Sequence, residues 1–201
     1  KKRVSTVIGS VPPSYDRLVI CDIDNTLIGN KVGLNALVAR LQGTDHNIGF
    51  GIATGRSIDS AVAVLQKNGV PLPDVLITAV GSEIYYGPDR EEDDEWRQFI
   101  SYRWRSNDLR KAMREIPGLR LQPKTNQGRY KISYLVDPDT MTDVSNIVRY
   151  LRIRDLHANV IYSHNAYLDL LPIRASKGGA LRYLAIKWGI PLDHMLVGGD
   201  S

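Results

Sequence analysis

The chain has 201 residues, 43% of them hydrophobic and 24% charged, the size and composition of one large globular domain or of a core carrying a smaller insert. Its single cysteine excludes an intrachain disulfide framework and fits a reducing cytosol. No apolar run approaches the ~20 residues of a membrane span, and Lys1-Lys2-Arg3 is not followed by the apolar stretch of a signal peptide. Much of the positive charge behind the formal +4 falls between Arg97 and Arg154. That stretch has no aromatic or Gly-rich nucleic-acid signature and follows acidic Glu91-Glu92-Asp93-Asp94-Glu95. A solvated surface or a small anionic substrate is therefore expected, with no nucleic-acid or membrane partner and a cytoplasmic location.

Residues 1–16 contain Pro12-Pro13-Ser14 and no periodic pattern, and read as a linker or arm. Arg17–Asp22 is an apolar run, as a buried parallel strand should be. Leu34, Leu37, Val38 and Leu41 then follow helical spacing, as do Ile58, Ala61, Val62 and Leu65 after a second apolar strand, Gly49–Thr54. A third strand is expected at Val75–Val80, and a fourth at Met195–Asp200 behind the helical set Leu181, Leu184, Ala185 and Trp188. Strands alternating with helices predict an α/β fold with a parallel, doubly wound sheet.

Residues 86–170 break that rhythm. One helical pattern carries Trp96, Ile100, Trp104, Leu109 and Met113, and a second spans Met141–Arg152. Tyr130–Val136, Asn159–Ser163 and Tyr167–Leu171 read as strands, the last two around the turn His164-Asn165-Ala166. The expectation is an α+β insert at 86–170 within a core formed by 17–85 and 171–201.

Chemistry gathers at the ends of the core strands. Asp22 and Asp24 are spaced i, i+2, so an extended backbone would aim both beyond the strand's carboxyl end, where open α/β sheets bind ligands. Two carboxylates there suit Mg²⁺ and phosphate chemistry. A calcium loop would need Gly and Glu where Leu27 and Gly33 stand. A cysteine-phosphatase loop would need Arg at Leu27, so Cys21 reads as a small core residue. A purely structural Asp pair would repel without a cation between the carboxylates. Thr54-Gly55-Arg56-Ser57 follows the second strand and opens a helix; it offers phosphate ligands, an ordinary N-cap at Ser57, or both. Lys177, before the last helix, either reaches a phosphate or is solvated, and Asp200 at a fourth strand tip can add a metal ligand.

These segments, Asp22-Ile23-Asp24-Asn25-Thr26, Thr54-Gly55-Arg56, Lys177 and Gly199-Asp200-Ser201, resemble the successive motifs of the haloacid dehalogenase (HAD) phosphohydrolase superfamily. Thr78-Ala79-Val80-Gly81-Ser82-Glu83-Ile84-Tyr85, Lys131-Ile132-Ser133-Tyr134 and Asp169-Leu170-Leu171-Pro172 further resemble sucrose-phosphate phosphatases, and equally the phosphatase-like carboxyl-terminal domains of sucrose-phosphate synthases. The resemblance implies a HAD-like Rossmannoid core with an inserted α+β (C2-type) cap. It implies Asp22 as nucleophile, Asp24 as general acid and base, and Thr54, Gly55 and Lys177 on the phosphoryl oxygens. It also implies Mg²⁺ at Asp22, Asp24 and Asp200 with the Ile23 carbonyl. Arg56, Gly81, Ser82, Glu83, Lys131 and Asp169 are the candidates for the sugar. The implied reaction hydrolyses sucrose 6-phosphate through an aspartyl phosphate, alone or beside a fused or docked glycosyltransferase domain. A non-catalytic phosphosugar-binding module and a phosphatase for another sugar phosphate are the alternatives. Two departures stand out. The Pro-containing arm suggests a domain cut from a fusion. The family's last motif continues Gly-Asp-Ser-Gly-Asn-Asp where this chain stops at Ser201, so the core is expected to be carboxyl-terminally incomplete and to hold Mg²⁺ weakly.

Overall fold

The structure is a computed structural model describing residues 15–43, 47–140 and 143–199. The chain divides into two compact units, one formed by Lys1–Trp96 with Lys177–Ser201 and the other by Arg97–Ser176.

The first unit is built on a six-stranded sheet of order β10-β1-β2-β3-β4-β5. Strands β1 (Arg17–Cys21), β2 (Ile48–Ala53), β3 (Val75–Thr78) and β10 (Met195–Gly198) are parallel. Strands β4 (Glu83–Tyr86) and β5 (Glu91–Glu92) add an antiparallel edge. Helices α1 (Lys31–Gly43), α2 (Ile58–Lys67) and α6 (Lys177–Trp188) are the three the apolar spacing predicts. Leu34 and Leu41 of α1 and Ala61, Val62 and Leu65 of α2 join Phe50, Ile52 and Leu76 in one buried cluster. The Asn30 side chain accepts from the Gly33 N–H at 3.0 Å and caps α1. Ser57 stands at the N-cap position of α2 with extended backbone but makes no side-chain cap bond, so the cap reading of its hydroxyl is corrected.

Two glycines set the sheet's spacing. A Cβ on Gly51 would lie 2.7 Å from Val75 Cγ1 and 3.2 Å from Ile20 Cγ1, and one on Gly49 would lie 2.8 Å from both Leu18 and Tyr15. Gly51→Ala should therefore cost about 1–3 kcal/mol, the usual penalty for overpacking. The loss shows as a lowered thermal midpoint, and Val75→Ala in the same chain should recover part of it.

The third strand ends at Thr78 instead of Val80, because Ala79 (φ 47°) and Val80 (φ 62°) turn left-handed and send the chain back as β4. That hairpin moves the division between the units. Buried Tyr86 and Trp96 belong to the first unit, so the chain leaves it after Trp96 and returns at Lys177, later than the 85/86 and 170/171 divisions read from the sequence.

The second unit pairs a four-stranded antiparallel sheet of order β6-β7-β9-β8 with α4 (Ser106–Met113) and α5 (Val144–Ile153). The strands are β6 (Leu119–Leu121), β7 (Ile132–Val136), β8 (Asn159–Ser163) and β9 (Tyr167–Leu171). Leu109, Met113, Ile132, Ile147, Leu151, Leu168 and Leu170 form its core. His164 (φ 53°) and Asn165 (φ 51°) give the β8–β9 turn two left-handed central residues, the twist antiparallel hairpins favour. Asp143 caps α5 by accepting from the Ser145 N–H at 2.6 Å, so the helix starts at Val144. The single helix expected from Trp96 to Met113 is two, α3 (Asp94–Ile100) and α4, parted by a turn containing left-handed Arg103 (φ 58°). Among the described residues no helix is long and apolar enough to cross a membrane.

Candidate active site

Strand β1 ends at Cys21, and the Asp22 N–H continues the ladder by donating to the Gly198 carbonyl at 2.9 Å. The chain then curls. Leu27 and Ile28 donate their N–H groups to the Ile23 carbonyl at 3.1 and 3.0 Å. Both lone pairs of that carbonyl are thereby used, which corrects the expectation that it faces a cation. Asp22 and Asp24 are thus presented by a tight turn and not by strand alternation.

Each carboxylate has its own cationic side chain. Asp22 accepts from the Ile23 N–H at 2.7 Å through one oxygen and from the Lys177 ammonium through the other. Asp24 takes a two-pronged bond from Arg56, Nε to Oδ2 at 2.9 Å and Nη2 to Oδ1 at 2.7 Å. Fork-on-carboxylate geometry is the strong form of this interaction, and the Asp24 bond raises the Arg56 guanidinium above its ordinary value. The repulsion expected of two neighbouring carboxylates is therefore relieved by Lys177 and Arg56. Arg56, expected at the sugar, is placed on Asp24, with its remaining nitrogen on Ser60 Oγ at 3.0 Å. Burial pushes the Cys21 thiol up, which disfavours a thiolate beside the site.

Thr54 follows β2 and is fully buried, its hydroxyl accepting from the Arg56 N–H at 3.3 Å. The left-handed turn after β3 braces this loop: Ala79 N–H donates to the Arg56 carbonyl at 2.8 Å and Val80 N–H to the Thr54 carbonyl at 3.1 Å. Gly81 and Ser82, expected at the sugar, are buried parts of that turn. The Gly81 carbonyl accepts from Trp96 Nε1 at 3.2 Å, and Ser82 Oγ donates to the Ala79 carbonyl at 3.0 Å. Glu83 accepts from the Thr78 hydroxyl at 2.7 Å.

Lys131 and Asp169 lie together in the second unit, 3.7 Å apart with both side chains 12% exposed. Ser133, opposite Asp169 across the β7–β9 ladder, donates its hydroxyl to that carboxylate at 2.5 Å. Gln127 binds the Ser133 backbone at both its N–H (3.0 Å) and its carbonyl (2.9 Å). Several basic residues of this unit are in surface ion pairs, Arg103 with Asp155 and Arg154 with Glu115.

For a divalent cation, Asp22 and Asp24 supply the hard oxygen donors such an ion takes, and among the described residues a lysine side chain and one N–H compete at Asp22. Among the described residues no three or more His, Cys, Asp or Glu gather to hold a metal. Asp200, the third ligand expected, lies outside the described residues.

The geometry agrees with what the chain resembles. The profile of the sucrose-6F-phosphate phosphohydrolase family matches residues 15–201. Sucrose-phosphatase 1 of Nicotiana tabacum is 31% identical over 193 residues, covering 92% of this chain and 45% of that protein. A probable sucrose-phosphate synthase of Arabidopsis thaliana is 28% identical over 92% of this chain and 20% of its own length. The chain thus spans less than half the length of these plant relatives. The crystal structure of the sucrose-phosphatase from Synechocystis sp., in complex with sucrose and phosphate, superposes with a TM-score of 0.85 at 33% identity, covering 92% of this chain and 75% of that one. With two Asp-centred ion pairs at the tip of a parallel sheet and a family match running to its last residue, the chain belongs to the sucrose-6F-phosphate phosphohydrolase family, on a HAD-like fold.

Proposed function

We propose that this chain carries the phosphatase chemistry that converts sucrose 6-phosphate to sucrose and phosphate. The observation that carries the reading is the pairing of Asp22 with Lys177 beside that of Asp24 with Arg56. A module that only bound phosphate would need the cations; it would not need a second carboxylate beside the first.

In this reading an Asp22 oxygen attacks phosphorus as the bond from phosphorus to the sugar oxygen breaks, and Asp24 in its acid form gives that oxygen a proton. Asp24 then takes a proton from the water that opens the aspartyl phosphate. Arg56 must release Asp24 before Asp24 can reach the sugar oxygen, because both carboxylate oxygens are occupied by the guanidinium's N–H groups. Lys177 sits on the oxygen of Asp22 not held by Ile23, placed to neutralise an incoming phosphoryl group. Phosphatases of this fold generally use a divalent metal ion. We assign Mg²⁺, with Asp22 and Asp200 as ligands and Asp24 left free for proton transfer; when bound it would supply charge neutralisation and orientation of the phosphate. The second unit acts as a cap that reads the sugar through Lys131 and Asp169. A cytosolic setting suits the single thiol, and the match to a synthase favours a glycosyltransferase domain as a fused or docked neighbour.

The test compares wild type and Lys131→Ala on sucrose 6-phosphate, glucose 6-phosphate and an aryl phosphate, with and without Mg²⁺. Wild type should prefer sucrose 6-phosphate over the monosaccharide by about 10²-fold or more in kcat/KM, a ratio hydrogen-bonded sites readily reach. Lys131→Ala should lose at least about tenfold on the sucrose ester and little on the aryl ester. Equal losses on both would place Lys131 in the chemistry or the fold instead of sugar recognition.

A further inference from the structure

The two points where the chain leaves and re-enters the first unit are held by one buried carboxylate that the chemistry above does not use. Asp93 is 2% exposed and lies three residues before the exit at Trp96. It accepts from the Trp96 N–H at 2.9 Å, the Tyr86 hydroxyl at 2.5 Å, the Lys187 ammonium at 2.9 Å and the Tyr183 hydroxyl at 3.0 Å. Burial alone would raise this carboxyl, but those four donors outweigh it and hold the group below its ordinary range. Tyr183 and Lys187 belong to α6, the helix on which the chain returns, and Lys187 also reaches Glu95 at 3.1 Å.

From this node two routes lead to the proposed phosphate-binding groups. Along α6, a rigid helix, Lys187 is ten residues or about 15 Å from Lys177, whose ammonium sits on Asp22. Through Trp96, whose ring lies 5.1 Å from that of Tyr183, the indole N–H holds the Gly81 carbonyl. Gly81 ends the turn whose Ala79 and Val80 N–H groups hold the carbonyls of Arg56 and Thr54. Val80 is β-branched and left-handed there, a strained backbone state that persists only where its surroundings over-determine it.

We infer that the Asp93 network is a positioning device for the transferring phosphoryl group: it fixes α6 and the 79–81 turn to one another, and so holds Lys177 and the Thr54–Arg56 loop at a common spacing about Asp22. The inference rests on the phosphatase reading of that site. Asp93, Trp96, Tyr183 and Lys187 are positioning residues in this scheme and touch no reacting atom. A network serving stability alone would show the same bonds, so the experiment separates the two.

In the full chain, thermal midpoint, inorganic phosphate affinity and kcat on both sucrose 6-phosphate and an aryl phosphate are measured for wild type, Asp93→Asn, Asp93→Asn with Lys187→Met, and Lys187→Arg. Removing one partner of a buried pair leaves the other uncompensated, whereas removing both is often close to neutral, so the double variant should regain much of the midpoint lost by Asp93→Asn. Its phosphate affinity and its kcat on both esters should nonetheless stay about ten- to a hundredfold down, the usual consequence of a misplaced binding group. Lys187→Arg, which keeps the charge, should restore most of both. Should the Asp93 variants not fold, Trp96→Phe keeps an aromatic ring, drops the bond to Gly81 along with part of the buried indole's packing, and should weaken phosphate binding severalfold. Affinity and kcat that recover in step with the midpoint, or an unchanged Trp96→Phe, overturn the inference. A wild-type chain that neither binds phosphate nor cleaves either ester overturns the phosphatase reading itself, and the positioning role with it.

Discussion

Asp22→Asn should leave the chain folded and lower phosphate release by on the order of 10⁴-fold or more, the scale on which losing a nucleophile is felt. The amide keeps an oxygen for the Ile23 N–H, which holds the residue at 2.7 Å, and forfeits the ion pair with Lys177. That pair is partly exposed, 18% at Asp22 and 34% at Lys177, so its loss costs no more than about 1 kcal/mol of stability. Circular dichroism and a thermal melt check the fold, and a phosphate-release assay checks the chemistry. Substantial turnover by Asp22→Asn rules out the aspartyl phosphate.

Asp24→Asn should give a different result. The asparagine cannot carry the proton, but Asp22 would remain able to attack, so a phosphoenzyme should still form, slowly. Turnover of sucrose 6-phosphate should fall by about 10²–10⁴-fold, the worth of a general acid and base. An aryl phosphate, whose leaving group departs without a proton, loses less in the first step. Acid quenching after mixing traps the phosphorylated protein and measures it directly. If Asp24→Asn accepts no phosphoryl group from either ester, like Asp22→Asn, the two carboxylates do not divide the work in this way.

The sequence was most informative where a pattern is local. The apolar runs at Arg17, Gly49 and Val75 and the helical spacing of Leu34–Leu41 and Ile58–Leu65 state their own structure, because each element's face is buried by its own periodicity. The Asp22–Asp24 motif is local too. Its cations are not: Arg56 lies 32 residues from Asp24 and Lys177 lies 155 from Asp22, and only the fold brings them together. The β3–β4 turn escaped notice because Ala79 and Val80, residues that rarely go left-handed, stand where glycine or asparagine would announce it. The break between α3 and α4 was hidden because the apolar spacing of Trp96, Ile100 and Trp104 continues without interruption, while Trp96 is counted with one compact unit and Trp104 packs against the core of the other. Asp93, in the acidic run Glu91–Glu95, is buried because Tyr183 and Lys187, 90 and 94 residues away, converge on it together with its neighbours Tyr86 and Trp96.

The order of strands also governs how the molecule comes into being. Leu18 of β1 takes its outer partner, Met195, from the far end of the chain, with the whole of Arg97–Ser176 between them. That intervening unit is one unbroken stretch whose ladders join β6, β7, β8 and β9 among themselves, so its sheet takes no strand from before or after it. During synthesis it can close while β1 still lacks a neighbour on one side, since long-range parallel pairing bears the greater loop-closure entropy. Strand β1 is therefore among the last to be paired on both sides. In that interval its unpaired backbone edge is a template for pairing with other nascent chains.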